Sequence, residues 1–84
     1  MLQVGIGVST QYDDTVIMNV ESHQLALRSV ILGVISDFSE GDVKGETGLT
    51  NLSEALREAI NAKLEMLENF GGVEGVHFTS FVLQ

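Results

Sequence analysis

The sequence predicts a small α+β domain, in which two amphipathic helices pack on a small antiparallel sheet in the order β-α-α-β. Three observations support this fold. Near both ends of the chain, successive residues alternate with the two-residue period of a strand. Between these stretches, apolar residues recur every three or four positions, which is the spacing of a helix. The 84 residues contain no proline, which fits a compact unit of regular elements.

The composition describes one small acidic domain spanning residues 1–84. Hydrophobic residues make up 44% of the chain, which excludes a disordered polar segment. Twelve acidic residues against four basic ones give a net charge of −8. This charge matches nucleic acid and anionic membranes poorly, so we predict no nucleic-acid partner, and any partner selected by charge would be basic. The absence of cysteine excludes disulfides and thiolate metal sites.

The first predicted element is a half-buried strand over residues 2–10. One of its faces is apolar and consists of Leu2, Val4, Ile6 and Val8. Gly5 and Gly7 leave the other face nearly bare, and glycines within a strand usually mark a bulge or the close approach of another backbone. The G-x-G pattern is not a dinucleotide fingerprint, because its third position is Thr10 and no helix follows Gly7.

The first helix is predicted to begin at the Asp13-Asp14 pair, which supplies an N-cap and negative charge where a helix N-terminus favours it. Its apolar stripe is Val16, Val20, Leu27, Val30, Ile31, Val34 and Phe38. The polar residues 22–24 interrupt this stripe, so the first turns of the helix are expected to be looser than the rest. The loop over residues 39–47 is predicted to be a solvated connector, because its acidic residues lack the glycine and glutamate positions of a calcium-binding EF-hand.

The second helix has the clearest pattern. Its stripe is Leu49, Leu52, Leu56, Ile60, Leu64 and Leu67. Thr47 or Thr50 is predicted to cap its start, and Asn69 with Gly71 to end it. Glu65 and Glu68 lie near its C-terminus, where the helix dipole favours cations. We therefore expect these two carboxylates to face a basic surface of a partner or of a neighbouring subunit.

The final strand, residues 76–83, alternates with large apolar groups on both faces. Val76, Phe78, Ser80 and Val82 are predicted to share one face, and His77, Thr79, Phe81 and Leu83 the other. Two helices cannot cover both faces, so a second subunit or a longer parent chain is expected to cover the second one. The predicted interface residues are therefore His77, Phe81, Leu83, Glu65 and Glu68.

No residue pattern indicates catalysis, and we predict neither enzymatic activity nor a cofactor. The acid–base candidates are His23 with Ser22, Asp13 or Asp14, and His77 with Thr79 or Ser80. Each histidine stands alone in sequence, and a single histidine on an amphipathic element usually has a structural role. A small ligand- or metal-binding module built on the acidic loop remains an alternative.

Three stretches carry a resemblance to a known family: Gly48-Leu49, the helical Ile60-Asn61-Ala62-Lys63-Leu64, and the ending Gly75-Val76-His77-Phe78-Thr79-Ser80-Phe81-Val82-Leu83-Gln84. In this order they are similar to the C-terminal end of the flagellar basal-body FliL proteins, which finish with an aromatic-Phe-Thr-acid-Phe-Val-aliphatic-Gln strand. The leading strand and Arg28 ahead of an apolar stretch also fit, so the resemblance covers essentially the whole chain. His77 and Ser80 depart from the family's usual Tyr and acid, and residues 36–47 lack its Ser-Ser-Lys pattern.

The resemblance implies a structural and interaction domain with a stomatin/prohibitin-like fold, located in the bacterial periplasm. It implies self-association into rings and association with the stator proteins MotA/MotB, in support of torque and motility. Family members reach the inner membrane through a cytoplasmic tail and one membrane-spanning helix, which are not among these 84 residues. The alternative is a generic stomatin/prohibitin-like oligomeric scaffold unrelated to flagella.

Overall fold

The computed structural model describes residues 2–39 and 41–83, and at residues 2–4 and 81–83 it describes the backbone. The elements, in chain order, are β1 (Leu2–Ser9), α1 (Asp14–Ser22), α2 (Gln24–Ser36), a 3-10 turn (Gly41–Val43), α3 (Gly45–Glu68) and β2 (Gly75–Leu83). The two strands form one antiparallel sheet. The predicted α+β class and the antiparallel pairing of the first and last strands are therefore confirmed.

The pairing of the two strands contains a bulge. Ile6 lies opposite Phe78, but the next pair is Gly5 with Ser80, so Thr79 has no partner in β1. The glycines of β1 indicated an irregularity of this kind, and the extra residue belongs to β2. The two-residue alternation predicted along residues 76–83 is consequently interrupted at Thr79.

The glycines of β1 make room for side chains of β2. The imidazole of His77 lies over Gly7, so closely that a Cβ atom on residue 7 would overlap its Nε2 atom. A Cβ atom on Gly5 would lie 2.6 Å from the hydroxyl oxygens of Thr79 and Ser80. Ile6 and Val8, on the opposite face of β1, pack against the core. The sheet therefore has an apolar inner face and, at the described side chains, a polar outer face.

The helix predicted from residue 14 to residue 38 is divided in two at His23. The backbone of His23 leaves the helical region (φ −109°, ψ 27°) and serves as the C-cap of α1 and the N-cap of α2. The break falls within the polar residues 22–24, where looser turns were predicted. It lets each helix bury one residue of its own in the core, Val16 from α1 and Leu27 from α2.

The start of α1 is capped as predicted. The Oδ1 atom of Asp13 accepts a hydrogen bond of 3.0 Å from the backbone N–H of Thr15. This hydrogen bond favours the charged carboxylate and lowers the pKa of Asp13 below its ordinary value of 3.8.

We expect the Asp13→Ala variant to be less stable than the wild type at neutral pH, with a difference that disappears in acid. Because the pKa of Asp13 is lowered on folding, its stabilisation is present above the unfolded-state pKa and is lost as pH falls through the folded-state pKa. Thermal melts between about pH 2 and pH 6 would measure this difference. Asp13→Asn is the control, since its amide caps the helix without titrating. A difference that does not change with pH would contradict this explanation.

The core forms around α3, whose predicted stripe is largely confirmed. Leu52, Leu56, Ile60 and Leu64 are completely buried, while Leu67 at the end of the stripe remains 40% exposed. The other buried core residues come from α1, α2, the 3-10 turn, the loop after α3 and β2, and are Val16, Leu27, Val43, Val73 and Val76. Both β2 and α2 pack on α3, which therefore connects the sheet to the other helices.

The segment before α3 is more ordered than a solvated connector. Val43, in the 3-10 turn, is 2% exposed and belongs to the core. The helix begins at Gly45, before the predicted caps Thr47 and Thr50, and its N-cap residue Lys44 makes no side-chain capping bond. Gly48 lies where the turn crosses α3, and it is buried there. Because glycine has no side chain, the backbone of the turn can approach the helix closely at this position.

The end of α3 and the start of β2 are held together by side chains of the helix. Asn69 ends α3 in the left-handed conformation (φ 63°), as predicted for a C-cap. The chain then returns along α3, where Asn61 bonds both backbone groups of Val73 and the Ser53 hydroxyl donates to the Val76 carbonyl. As a result the segment from Val73 to Val76 runs antiparallel to α3, and β2 begins beside the first half of the helix.

In residues 2–39 and 41–83, no helix combines the length and the apolar character that a membrane span requires.

Candidate functional site

An apolar groove with a volume of about 700 Å³ lies between β1 and α2. Within the described residues, α2 packs on α3, and its backbone does not come close to the backbone of either strand. The space between α2 and β1 is therefore open to solvent. Ile60 of α3 and Leu27 of α2, both buried, form its floor. We call this feature the β1–α2 groove.

The side chains of the β1–α2 groove are almost all apolar. Its lining residues are Gly5, Ile6, Val8, Val20, Gln24, Leu27, Arg28, Ile31, Leu32, Ile35 and Ile60. Several of the aliphatic side chains are only half-buried, and Leu32 is 67% exposed. A soluble domain rarely leaves such an apolar surface in water unless another molecule covers it.

Among the described residues that line the groove, Arg28 is the only cation. Its side chain is exposed and has no ion-pair partner among the residues that the structure describes. By contrast, Arg57 donates to Glu54 at 2.9 Å, and this contact raises the pKa of the guanidinium. In a chain with a net charge of −8, the free charge of Arg28 makes the groove different from the rest of the surface.

The predicted interface residue His77 is exposed on the outer face of the sheet. Its ring lies over Gly7, on the face opposite Ile6 and the core. Phe81 and Leu83 are paired through their backbones with Val4 and Leu2, but their side chains lie outside the described residues. Their role at an interface stays a prediction.

Glu65 and Glu68 lie in the last turn of α3 and are both exposed. The carboxylate of Glu68 is 3.4 Å from Nε2 of His23, at the junction of α1 and α2. Glu68 therefore has a partner within its own chain, which sequence reasoning did not foresee. We find no described ion pair for Glu65, whose carboxylate is available to another molecule.

Of the predicted interface residues, His77 lies apart from Glu65 and Glu68. The Ser53–Val76 hydrogen bond places the start of β2 beside the first half of α3. Glu65 is twelve residues further along the helix, or about 18 Å at 1.5 Å per residue. The acidic end of α3 and the outer face of the sheet are thus separate surfaces.

An exposed aromatic pair accompanies the acidic end of α3. Tyr12 and Phe70 meet edge to face, with ring centroids 4.9 Å apart, and they are 54% and 42% exposed. Phe70 follows α3 directly, and its ring packs beside Gly72, which needs a positive φ of 78°. We call Tyr12, Phe70, Glu65 and Glu68 the acidic–aromatic corner.

The histidines are not arranged for the acid–base pairs considered from sequence. His23 contacts Glu68 rather than Ser22, Asp13 or Asp14, and His77 lies over Gly7. In the acidic loop, Asp42 accepts a hydrogen bond from the backbone N–H of Ser39, which lowers the pKa of Asp42. Across residues 2–39 and 41–83, the structure places no three histidine or acidic side chains where they could hold a metal ion.

Sequence reasoning missed the β1–α2 groove and the aromatic pair. A signal for the groove was present, because two of its lining residues, Leu32 and Ile35, are apolar residues of α2 that the predicted stripe did not contain. A helix with more apolar residues than one face can bury needs a second covering surface. The Tyr12–Phe70 contact joins residues far apart in sequence, and no local pattern indicated it.

Comparison with known proteins supplies one match. The model of the family described as "Flagellar basal body-associated protein FliL" matches residues 1–84. A comparison with curated proteins gives no match.

Proposed function

This chain belongs to the FliL family of flagellar basal body-associated proteins, and from this membership we propose that it is a non-catalytic structural and interaction domain of the flagellar motor. The family match along the whole chain is the observation that carries this proposal. The exposed apolar groups of the described residues support the interaction part of this proposal. Such surfaces suit contact with other proteins.

In this proposal the domain lies in the periplasm, has a stomatin/prohibitin-like fold and self-associates into a ring. The ring surrounds or adjoins the stator units of MotA/MotB and supports torque and motility, and the inner membrane is reached through a segment outside these 84 residues. Two features support an interaction role. The sheet has two strands, which leaves open edges, and the acidic–aromatic corner presents charge to a basic neighbour.

The proposal is tested first by self-association. We expect sedimentation velocity to show a concentration-dependent oligomer for the wild type, and Phe81→Glu to reduce oligomerisation while keeping the helical circular-dichroism signal. An unfolded Phe81→Glu variant would show instead that residue 81 belongs to the core. A monomer whose melting temperature rises with calcium would favour the ligand- or metal-binding alternative.

The acidic–aromatic corner gives a second measurement on the same assembly. Neutralising Glu65 and Glu68 to Gln should weaken association by roughly fivefold or more, since charges at the rim of an interface guide binding. The melting temperature should change by less than about 3 °C, because exposed substitutions have small effects and acids oppose the dipole at a helix C-terminus. Sedimentation and thermal melts measure the two quantities.

The matched control for the two acids is the double variant Glu46→Gln with Glu58→Gln, which changes net charge equally at exposed positions earlier in α3. We also compare Glu65→Gln alone, because it leaves the His23–Glu68 contact intact. Equal weakening by both double variants, or a large fall in melting temperature with unchanged assembly, would contradict a contact role for this corner. In a motile host, swimming under load with these variants tests the motor assignment itself.

A further inference from the structure

We propose that the β1–α2 groove binds an extended segment of a partner protein, which pairs with the free edge of β1 as a third strand and places a carboxylate against Arg28. This docking mode goes beyond the proposed motor role and does not depend on it. Three features of the molecule support this docking mode: the free backbone groups of β1, the apolar walls of the groove and the charge of Arg28.

The backbone of β1 offers hydrogen-bonding groups toward the groove. The backbone carbonyl of Ser9 accepts a hydrogen bond of 2.8 Å from the N–H of Glu74, so the backbone polar groups of Ser9 point toward β2. Residues along an antiparallel strand direct their N–H and C=O groups to its two sides in turn. Ile6 and Val8 therefore direct theirs to the other side, where the described sheet has no third strand. An incoming strand would satisfy these groups.

The walls of the groove match the side chains of such a strand. Every second residue of a strand points to the same face. A segment with apolar residues at alternate positions would place them beside Ile6 and Val8 and under the aliphatic side chains of α2. Ile31, Ile35 and Leu32 would then be removed from water. A third strand also relieves the general weakness of a two-stranded sheet.

The local charge of Arg28 selects a partner segment that carries a carboxylate. Arg28 lies at the groove without an ionic partner among the described residues. A carboxylate on the incoming segment would supply that partner in a bidentate geometry.

The experiment uses the full 84-residue chain and synthetic peptides as probes. The main peptide has the length of β1, eight residues, with valine at alternate positions, threonine between them and one glutamate. Its binding is measured by fluorescence anisotropy, and amide hydrogen exchange at Ile6 and Val8 reports strand pairing. A peptide with N-methyl groups at alternate amides cannot form the ladder, and a glutamine version lacks the carboxylate.

Matched variants test the groove itself. Leu32→Asp and Arg28→Glu should each weaken peptide binding by about tenfold or more, while leaving the fold unchanged because both residues are exposed. Leu25→Asp is the control for the first, since Leu25 is an exposed leucine of α2 outside the groove lining. Lys63→Glu is the control for the second, with the same change in net charge. Both controls should bind within about twofold of the wild type.

Protection of the Ile6 and Val8 amides, together with loss of binding on N-methylation, would support the proposal. Peptide that fails to bind at roughly millimolar concentration would overturn it. Binding that is insensitive to N-methylation or to Leu32→Asp would overturn strand addition in this groove. Self-association abolished by Leu32→Asp, without peptide binding, would show that a second copy is the occupant instead.

Discussion

Replacing Asn61 with alanine will destabilise the domain by about 3 kcal/mol, one of the largest effects expected of any polar residue in it. Asn61 acts as a clamp on the backbone of the chain returning from α3. Its Nδ2 atom donates to the Val73 carbonyl at 2.9 Å, and its Oδ1 atom accepts from the Val73 N–H at 2.8 Å. Alanine removes both bonds at once.

The cost is large because Val73 is buried. Only 3% of Val73 is exposed, so water cannot readily replace the lost partners of its N–H and C=O groups. A buried backbone group without a partner costs about 1–3 kcal/mol, which exceeds the net value of the bond itself. Gly71 packs directly against the Asn61 side chain, so the turn would lose a packing contact as well.

Asn51→Ala is the matched control, because Asn51 is an exposed residue of the same helix. Alanine is the better helix former, so this variant should be as stable as the wild type or slightly more stable. Urea denaturation followed by circular dichroism measures both free energies of unfolding. Equal effects of the two variants would show that the clamp contributes nothing beyond helix propensity.

Replacing Gly48 with alanine will lower the free energy of unfolding by about 2–3 kcal/mol, although alanine ordinarily stabilises a helix. Gly48 is buried where the 3-10 turn crosses α3, and a Cβ atom there would overlap the carbonyl oxygen of Asp42. The obstacle is backbone, which cannot rotate away as a flexible side chain can. The turn must move, and Val43 would then leave its place in the core.

Gly33→Ala provides a control in which the sign of the effect is reversed. Gly33 lies within α2, and a Cβ atom there would meet no other atom within 4 Å. Its replacement should raise the free energy of unfolding by about 0.5–1 kcal/mol. Thermal and urea melts of the two variants make the comparison. Stabilisation of both would mean that the turn does not pack against α3 as closely as the structure shows.

The α3 stripe was predictable because its information is local. Four aliphatic residues from Leu52 to Leu64 repeat at helical spacing, and all four are buried. The Asp13 cap and the Asn69 end were predictable for the same reason, since a cap concerns groups within a few residues. The predicted caps Thr47 and Thr50 were wrong because the helix begins earlier, at Gly45, directly after the turn that contains the buried Val43.

The candidate surfaces were predictable only in part. The alternation of the last strand indicated a sheet whose apolar residues must be covered by other parts of the protein. It did not indicate the bulge at Thr79, which depends on how two strands far apart in sequence pair. The acidic end of α3 was identified, whereas the contact of Glu68 with His23 was not. That contact joins two residues separated by most of the helical part of the chain.

By itself the sequence determined the class of the fold, the order of its elements, the buried stripe of α3 and the likeness to one family. These properties follow from residue periods and local signals, which a linear chain displays directly. The tertiary structure alone decided the Asn61 clamp, the close crossing at Gly48, the free charge of Arg28 and the groove beneath α2. Each depends on distances between segments far apart in sequence, and those distances exist only once the chain has folded.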